Sequence, residues 1–170
     1  MDLKQFVRDI PDFPKQGVLF KDITPLLAVP EAFAYAVDEL ARKYAGTRVD
    51  TIAAAEARGF LLAAPLAIAM KKPLVPLRKP GKLPYRTYSL KYELEYGSAE
   101  LQMHADGFDR GAKVLLVDDV LATGGTALAA MDLVHQAGGV VVGLAVLIEL
   151  GFLAGRERLT EITVEALIRV

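Results

Sequence analysis

Leu3, Phe6, Val7 and Ile10 recur at helical spacing in an otherwise polar amino terminus, and Pro11 and Pro14 follow at once. Proline lacks the amide that a helix needs, so the pattern predicts a short amphipathic helix that stops at about residue 10. The next segment, PDFPKQGVLFKDITPLL, is unusually apolar for the irregular chain that its prolines imply. Phe33, Val37, Leu40, Ala41 and Tyr44 then share one face behind Pro30, and Gly46 ends the run. A helix over about 30–44 is expected, with proline in a first helical position. TIAAA, EARG and FLLAAPLAIAM read as strand, tight loop and helix, where Pro65 forces either a kink or a late helix start. PLVPLRK predicts a further strand and Pro80 to Ser89 a basic loop; Tyr92–Tyr96 and Ala99–Met103, separated by Gly97 and Ser98, predict a hairpin.

The last unit has the sharpest pattern. KVLLVDD is a buried strand, VLATGG a loop, TALAAMDLVHQAGG a helix closing on paired glycines, and VVVGLAVLIEL another strand. Strands and helices that alternate at these lengths make an α/β fold, a mostly parallel sheet flanked by helices on both faces. With 170 residues, 53% of them hydrophobic, the chain supports one core, and no repeat or linker divides it. A single domain over 1–170 is expected.

Composition narrows the classes of partner. Twenty Lys and Arg stand against 21 Asp and Glu, a formal charge of −1, so no overall basic excess draws the chain to nucleic acid or to an anionic membrane. An anionic ligand must be held by a local site. Cysteine is absent, which excludes disulfides and thiolate metal sites and fits a reducing cytoplasm. His104 and His135 accompany no ligand pattern and read as structural or surface residues. The apolar runs 60–70 and 137–148 fall short of the roughly 18 residues that span a bilayer, and the amino terminus lacks the apolar core of an export signal.

In open α/β sheets ligands bind beyond the carboxyl ends of the strands, which is where Asp118 and Asp119 and the loop through Thr126 fall. Thr123, Gly124, Gly125 and Thr126 offer backbone amides, no bulky side chains and two hydroxyls at a helix start, a cradle for a phosphate group. The adjacent aspartates can accept hydrogen bonds from vicinal sugar hydroxyls or touch a ribose-bound Mg²⁺. A sugar phosphate fits both halves. The plain structural alternative, Thr123 as helix cap and two acids at a solvated strand end, explains neither the doubled acid nor the doubled glycine. Neither GxGxxG nor GxxxxGK[ST] occurs, so dinucleotide and P-loop readings lose their support.

VLLVDDVLATGGT, residues 114–126, resembles the phosphoribosyl pyrophosphate (PRPP) signature of the type I phosphoribosyltransferases. FPKQGVLFKDITPLL, EARGF, LRKPGKLP, YELEYG and ELGFLAGRERL resemble the adenine-specific members in order and spacing. The resemblance implies the type I fold with a small base-binding hood over about 1–30 and a flexible catalytic loop. It implies transfer of phosphoribosyl from PRPP to adenine, giving AMP and pyrophosphate, with Mg²⁺ held mainly by PRPP and a homodimer as the assembly.

By that resemblance Asp118 and Asp119 hold the ribose hydroxyls, and Ala122, Thr123, Gly124, Gly125 and Thr126 wrap the 5′-phosphate. Arg58, Gly59, Arg78, Lys79 and Lys82 contact pyrophosphate, where cations offset the charge that gathers on the leaving group. Val18, Leu19, Phe20 and Lys21 form the adenine pocket, and Glu95 beside Tyr96 is the candidate proton acceptor. A cis peptide between Glu56 and Ala57 is implied as well. Tyr85, Arg86, Thr87 and Tyr88 depart from the small residues usual in that loop. Ala122 stands where the hypoxanthine and guanine enzymes carry an acid, which speaks for adenine. Two alternatives remain open: transfer to xanthine, uracil or orotate, and a non-catalytic regulator that senses PRPP, although neither spare length nor a basic recognition helix is present for the latter.

Overall fold

The computed structural model describes residues 1–93 and 98–170. The chain opens with one 3-10 turn, Leu3–Phe6, whose first amides are met by the Asp2 carboxylate, accepting from Lys4 N–H at 3.1 Å. The expected amphipathic helix does not form. Four apolar positions before a proline give too few turns to repay helix nucleation, and strand pairing wins instead. β1 (Arg8–Pro11) lies antiparallel to β2 (Leu19–Asp22), with Ile10 opposite Phe20, so the segment read as irregular is a hairpin. Its loop turns through a cis Phe13–Pro14 bond and Asp12, whose carboxylate accepts from Gly17 N–H at 2.7 Å.

A single turn α1 (Thr24–Leu27) leads to α2 (Pro30–Lys43), which begins at the proline as expected. β3 (Thr51–Ala55) then meets α3 (Arg58–Met70), which starts earlier than its apolar run and continues through Pro65. Burial of Leu62, Ala63, Leu66 and Ala67 outweighs the one missing amide, and only Glu56 and Ala57 remain as loop. β4 (Leu74–Leu77) follows, then the hairpin of β5 (Thr87–Glu93) and β6 (Ser98–His104). This hairpin begins inside the stretch read as a basic loop, because Tyr88 and Leu90 pack inward opposite Met103 and Leu101. β7 (Lys113–Leu121) takes in Val120 and Leu121, which had been read as loop, by pairing them with Ile148 and Glu149 of β8 (Val140–Glu149). Between these strands lies α4 (Gly125–Gln136). Two 3-10 turns, Gly151–Leu153 and Gly155–Arg158, precede β9 (Thr163–Arg169). β9 escapes the sequence reading because Glu165 interrupts it and it lies at an edge, buried only at Val164 and Ile168.

The main sheet has the order β4-β3-β7-β8-β9, and every pairing in it is parallel. β7 is central and buried on both faces. Leu115 and Val117 enter the core under α2 and α3, and Val114 and Leu116 enter the core under α4 and the β5–β6 hairpin. The parallel pairing puts the carboxyl ends of β3, β7 and β8 side by side, where the candidate site residues collect.

Two polar anchors hold the sheet to its cover. Tyr44, just past α2, is buried and donates its hydroxyl to Leu144 O at 2.9 Å, and Gly143 leaves room for the ring, since a Cβ there would lie 2.6 Å from Tyr44 Cε1. Glu149, only 3% exposed, takes two guanidinium groups: Arg156 Nε donates to Oε1 and Arg169 Nε to Oε2, each at 2.9 Å, with a second bond from each arginine. Hydrogen bonds from Arg156 hold the Glu149 carboxyl down at about 2, burial opposing them and Arg169 adding to them. A carboxyl lowered in the folded state stabilises above its ordinary value and loses that stabilisation as pH falls toward the folded value. The unfolding free energy should therefore drop between about pH 5 and pH 2 by about 3 kcal/mol on account of this one group. Urea unfolding at stepped pH should show this loss in the parent and not in Glu149→Gln, and an equal loss in the variant would assign the titration elsewhere.

Candidate active site

The cleft above the carboxyl end of β7 is built from four segments. Its floor is Asp118, Asp119 and Val120, one wall is Glu56, Ala57 and Arg58 at the start of α3, and the far wall is Ala122 and Thr126 ahead of α4. The roof is Val18, Leu19, Phe20 and Lys21 from the hairpin β1–β2, with Leu150 facing them. The enclosed space is about 360 Å³, within the range of small-molecule sites.

Asp119 is 4% exposed, and its Oδ2 meets Arg58 Nε at 2.8 Å as an ion pair, without the alignment of a hydrogen bond and with no hydrogen-bond donor of its own. Asp118 Oδ1 accepts from Asp119 N–H at 2.8 Å. Burial pushes the Asp118 carboxyl well above its ordinary range and the Asp119 charge pushes it further; burial raises Asp119 too, against the pull of Arg58. Two adjacent buried acids with a free acceptor are short of donors, and hydroxyl groups or a cation would supply what they lack. Gly59 lets α3 approach this pair, because a Cβ there would stand 3.0 Å from Asp118 Oδ1 and 3.2 Å from Val117 O.

α4 starts without a side-chain cap. Its cap position is Gly124 at φ +82°, not Thr123, and no side chain caps the helix amides. The first turn of α4 thus presents amide donors with no acceptor from its own cap, the local condition for holding an anion. Behind it a second hollow runs between the sheet and α4, lined by Thr123 to Ala127 and by Ala53, Leu77 and Leu116.

On the β3 and β4 side, Glu56 gathers the basic residues. Its Oε1 accepts from Lys79 N–H at 2.7 Å and from Arg78 Nε at 3.3 Å. Burial would raise the Glu56 pKa, but the Lys79 amide and the Arg78 charge outweigh it and leave it lowered. Arg78 is fixed further by paired backbone bonds with Gln102 of β6, at 2.8 and 2.7 Å, and lies 5.9 Å over the Phe60 ring. Arg58 lies 4.6 Å over the Phe20 ring and so links hood to floor. The peptide joining Glu56 and Ala57 is cis, as the resemblance implied.

The structure therefore brings together Val18–Lys21, Arg58, Gly59, Asp118, Asp119, Ala122 and Thr126 around one cleft. Lys79 lines a neighbouring depression with Glu56, Lys91, Glu100 and Thr126, while Lys82 is exposed on the loop beyond it. Glu95 and Tyr96 lie outside the described residues. Tyr85, one of the bulky departures, is exposed and packs edge-on against His104 at 6.2 Å. Sequence reasoning missed the roles of Glu56 as tether of Arg78 and Lys79 and of Leu150 as pocket wall. Glu56 stood within the EARGF motif, but nothing in a single sequence gives the partner of an acid.

The model of the phosphoribosyl transferase domain family matches residues 26–162. Adenine phosphoribosyltransferases of Petrotoga mobilis and Thermosipho melanesiensis are 54% and 56% identical, over 99% of this chain and 98% and 96% of theirs. Among solved structures, the adenine phosphoribosyltransferase of Thermoanaerobacter pseudethanolicus superposes with a TM-score of 0.97 at 49% identity, over 99% of this chain and 98% of that one. That of Saccharomyces cerevisiae, solved with an imino-altritol bisphosphate and adenine, superposes at 0.91 with 36% identity, over 98% and 96%.

Proposed function

The chain belongs to the phosphoribosyltransferase family, and from its place among the adenine-specific members we propose the following division of labour in the cleft. The reaction joins adenine to the ribose of PRPP, giving AMP and pyrophosphate. The observation that carries the assignment of roles is the convergence of an apolar hood, two adjacent carboxylates of which Asp119 lacks a hydrogen-bond donor at Oδ2, and an uncapped helix start around one cleft.

The 5′-phosphate is held by the amides and hydroxyls of Thr123 to Thr126, with Ala122 leaving space, and the vicinal ribose hydroxyls donate to Asp118 and Asp119. Adenine lies under Val18, Leu19, Phe20 and Lys21, stacked on apolar surface and read at its edge by backbone groups. Pyrophosphate faces Arg58, Gly59, Arg78, Lys79 and Lys82. As the bond from C1′ to the pyrophosphate oxygen breaks, its electron pair leaves with that oxygen, where these cations meet the charge. A purine ring nitrogen supplies the pair for the new bond to C1′ and gives up its proton, for which Glu95 is the acceptor.

Mg²⁺ accompanies PRPP as its counter-ion. No group of three acidic or imidazole ligands occurs among the described residues, but Asp118 and Asp119 are hard oxygen donors open to the cleft, which suits an ion whose other ligands come from substrate and water. No described helix is long and apolar enough to cross a membrane, and the lack of cysteine accords with a cytoplasmic setting. The assembly is a homodimer through α3, whose outward face carries Leu61 at 45% and Ile68 at 79% exposure beside Ala64 and Ala69.

Incubation with PRPP, Mg²⁺ and each nucleobase in turn should give nucleotide fastest with adenine, because Ala122 offers no carboxylate to a 6-oxopurine; equal turnover of guanine, hypoxanthine or uracil overturns the base assignment. Gly124→Val should abolish binding of PRPP in calorimetry while circular dichroism shows the fold retained, since a branched residue at φ +82° is strained and its Cβ would meet Gly155 O at 2.9 Å, displacing the cradle amides. Glu95→Gln should slow single-turnover AMP formation by about a hundredfold or more with PRPP binding little changed. A rate within a few-fold of the parent would move proton acceptance to water or a backbone carbonyl.

A further inference from the structure

We infer that Arg158, on the 3-10 turn between β8 and β9, is a positioning residue for the phosphate cradle, and that the Glu149 clamp is the post from which it acts. This rests on the assignment of Thr123 to Thr126 to the 5′-phosphate. The cradle loop has no side-chain cap of its own, so something else must fix its peptides. The turn Gly155–Arg158 does so at two points. Gly155 is buried against the loop: a Cβ on it would overlap Ala122 O and lie 2.9 Å from Gly124 N, and in turn a Cβ on Gly124 would lie 2.9 Å from Gly155 O. Arg158 Nη1 donates to Thr123 O at 2.9 Å. In a trans peptide the carbonyl and the next amide point opposite ways, so fixing Thr123 O also fixes the direction of Gly124 N–H, one of the amides assigned to the phosphate.

The turn itself is held from below. Arg156, two residues before Arg158, binds both oxygens of Glu149 through the Nε–Nη2 edge of its guanidinium and donates Nη1 to Val164 O at 2.7 Å. Arg169, at the end of β9, closes the same carboxylate from the other side. Backbone bonds from Leu150 N to Leu121 O at 2.9 Å and from Gly151 N to Val170 O at 2.7 Å join the preceding turn, Gly151–Leu153, to β7 and to the carboxyl-terminal residue. A chain of short contacts therefore runs from Glu149 through Arg156 to Gly155 and Arg158 and on to the cradle. Orientation held this way matters most for a ligand bound by several amides at once, where a small misalignment weakens every bond.

Arg158 is exposed, so its replacement leaves the core intact and gives a clean test. Arg158→Ala should weaken binding of ribose 5-phosphate in calorimetry and raise the KM for PRPP by about five- to tenfold, the scale of one charge-assisted hydrogen bond. Its inhibition by pyrophosphate and its KM for adenine should stay within about twofold, and Arg158→Lys should restore part of the loss. Gly124→Val is the control for the cradle itself. If Gly124→Val loses ribose 5-phosphate and Arg158→Ala does not, the positioning role falls and the cradle assignment stands. If both variants bind ribose 5-phosphate as the parent does, both fall. Weakening of ribose 5-phosphate and pyrophosphate alike by Arg158→Ala would mark a general structural defect and overturn the role.

Discussion

Two carboxylates side by side at the end of a buried strand are the constraint around which the rest of the site is arranged. Asp118 and Asp119 belong to β7, the central strand, so they cannot escape to solvent without breaking its pairing with β8. Each is raised by burial, and Asp118 also by its neighbour. An isolated pair of this kind would be expelled or stay neutral. The structure tolerates it by bringing Arg58 to Asp119 and by placing a glycine where α3 passes Asp118, and it leaves the buried Asp119 Oδ2 without a hydrogen-bond donor. Under the proposed assignment the sugar hydroxyls supply donors to this pair, and binding in this cleft is to that extent the completion of an unfinished hydrogen-bond network.

The same device recurs along the edge of the sheet. Glu56 follows β3 with Arg78 as partner, Asp119 lies near the end of β7 with Arg58, and Glu149 ends β8 with Arg156 and Arg169. All three acids fall where parallel strands deliver their carboxyl ends together; Arg58, Arg78 and Arg156 come from segments that follow β3, β4 and β8, and Arg169 is the last residue of β9. The pairs differ in how complete they are. Glu149 is saturated by two arginines and serves as a post; Glu56 holds Arg78 and Lys79 at the rim; Asp119 has a single misaligned partner and faces the cleft. Saturation thus separates framework from working site, a distinction that burial alone does not make, since Glu149 and Asp119 are 3% and 4% exposed.

How much of this the sequence disclosed follows from how local each determinant is. The cradle, the aspartate pair and the alternating units were legible because their patterns are contiguous: an apolar strand, two acids, two glycines and a helix within 113–136. The hood segment was legible only as resemblance, and its form was misread, because Ile10 opposite Phe20 is a pairing across ten positions that helical periodicity at 3, 6, 7 and 10 mimics. β9 was missed for a related reason: an edge strand with Glu165 and Arg169 along it carries little apolar signal of its own and is defined by β8 beside it. Glu149 and Arg156 stood in a quoted motif, but that one carboxylate holds arginines 7 and 20 positions away is a fact of three dimensions.

Base recognition shows the same division between what residue identity supplies and what placement adds. Val18, Leu19, Phe20, Val120, Ala122 and Leu150 give the cleft apolar walls, and among its lining residues the only acids, Glu56, Asp118 and Asp119, are each engaged or committed to the floor. A planar heterocycle entering under the hood therefore meets apolar surface with cations, Lys21 and Arg58, and no free acid beside it. Phe20 already carries a cation on its face in Arg58, at 4.6 Å, which joins the roof to the residue paired with Asp119. Arg58 touches the roof at Phe20 and the floor at Asp119, so under the proposed assignment its charge is shared between the base pocket and the ribose site.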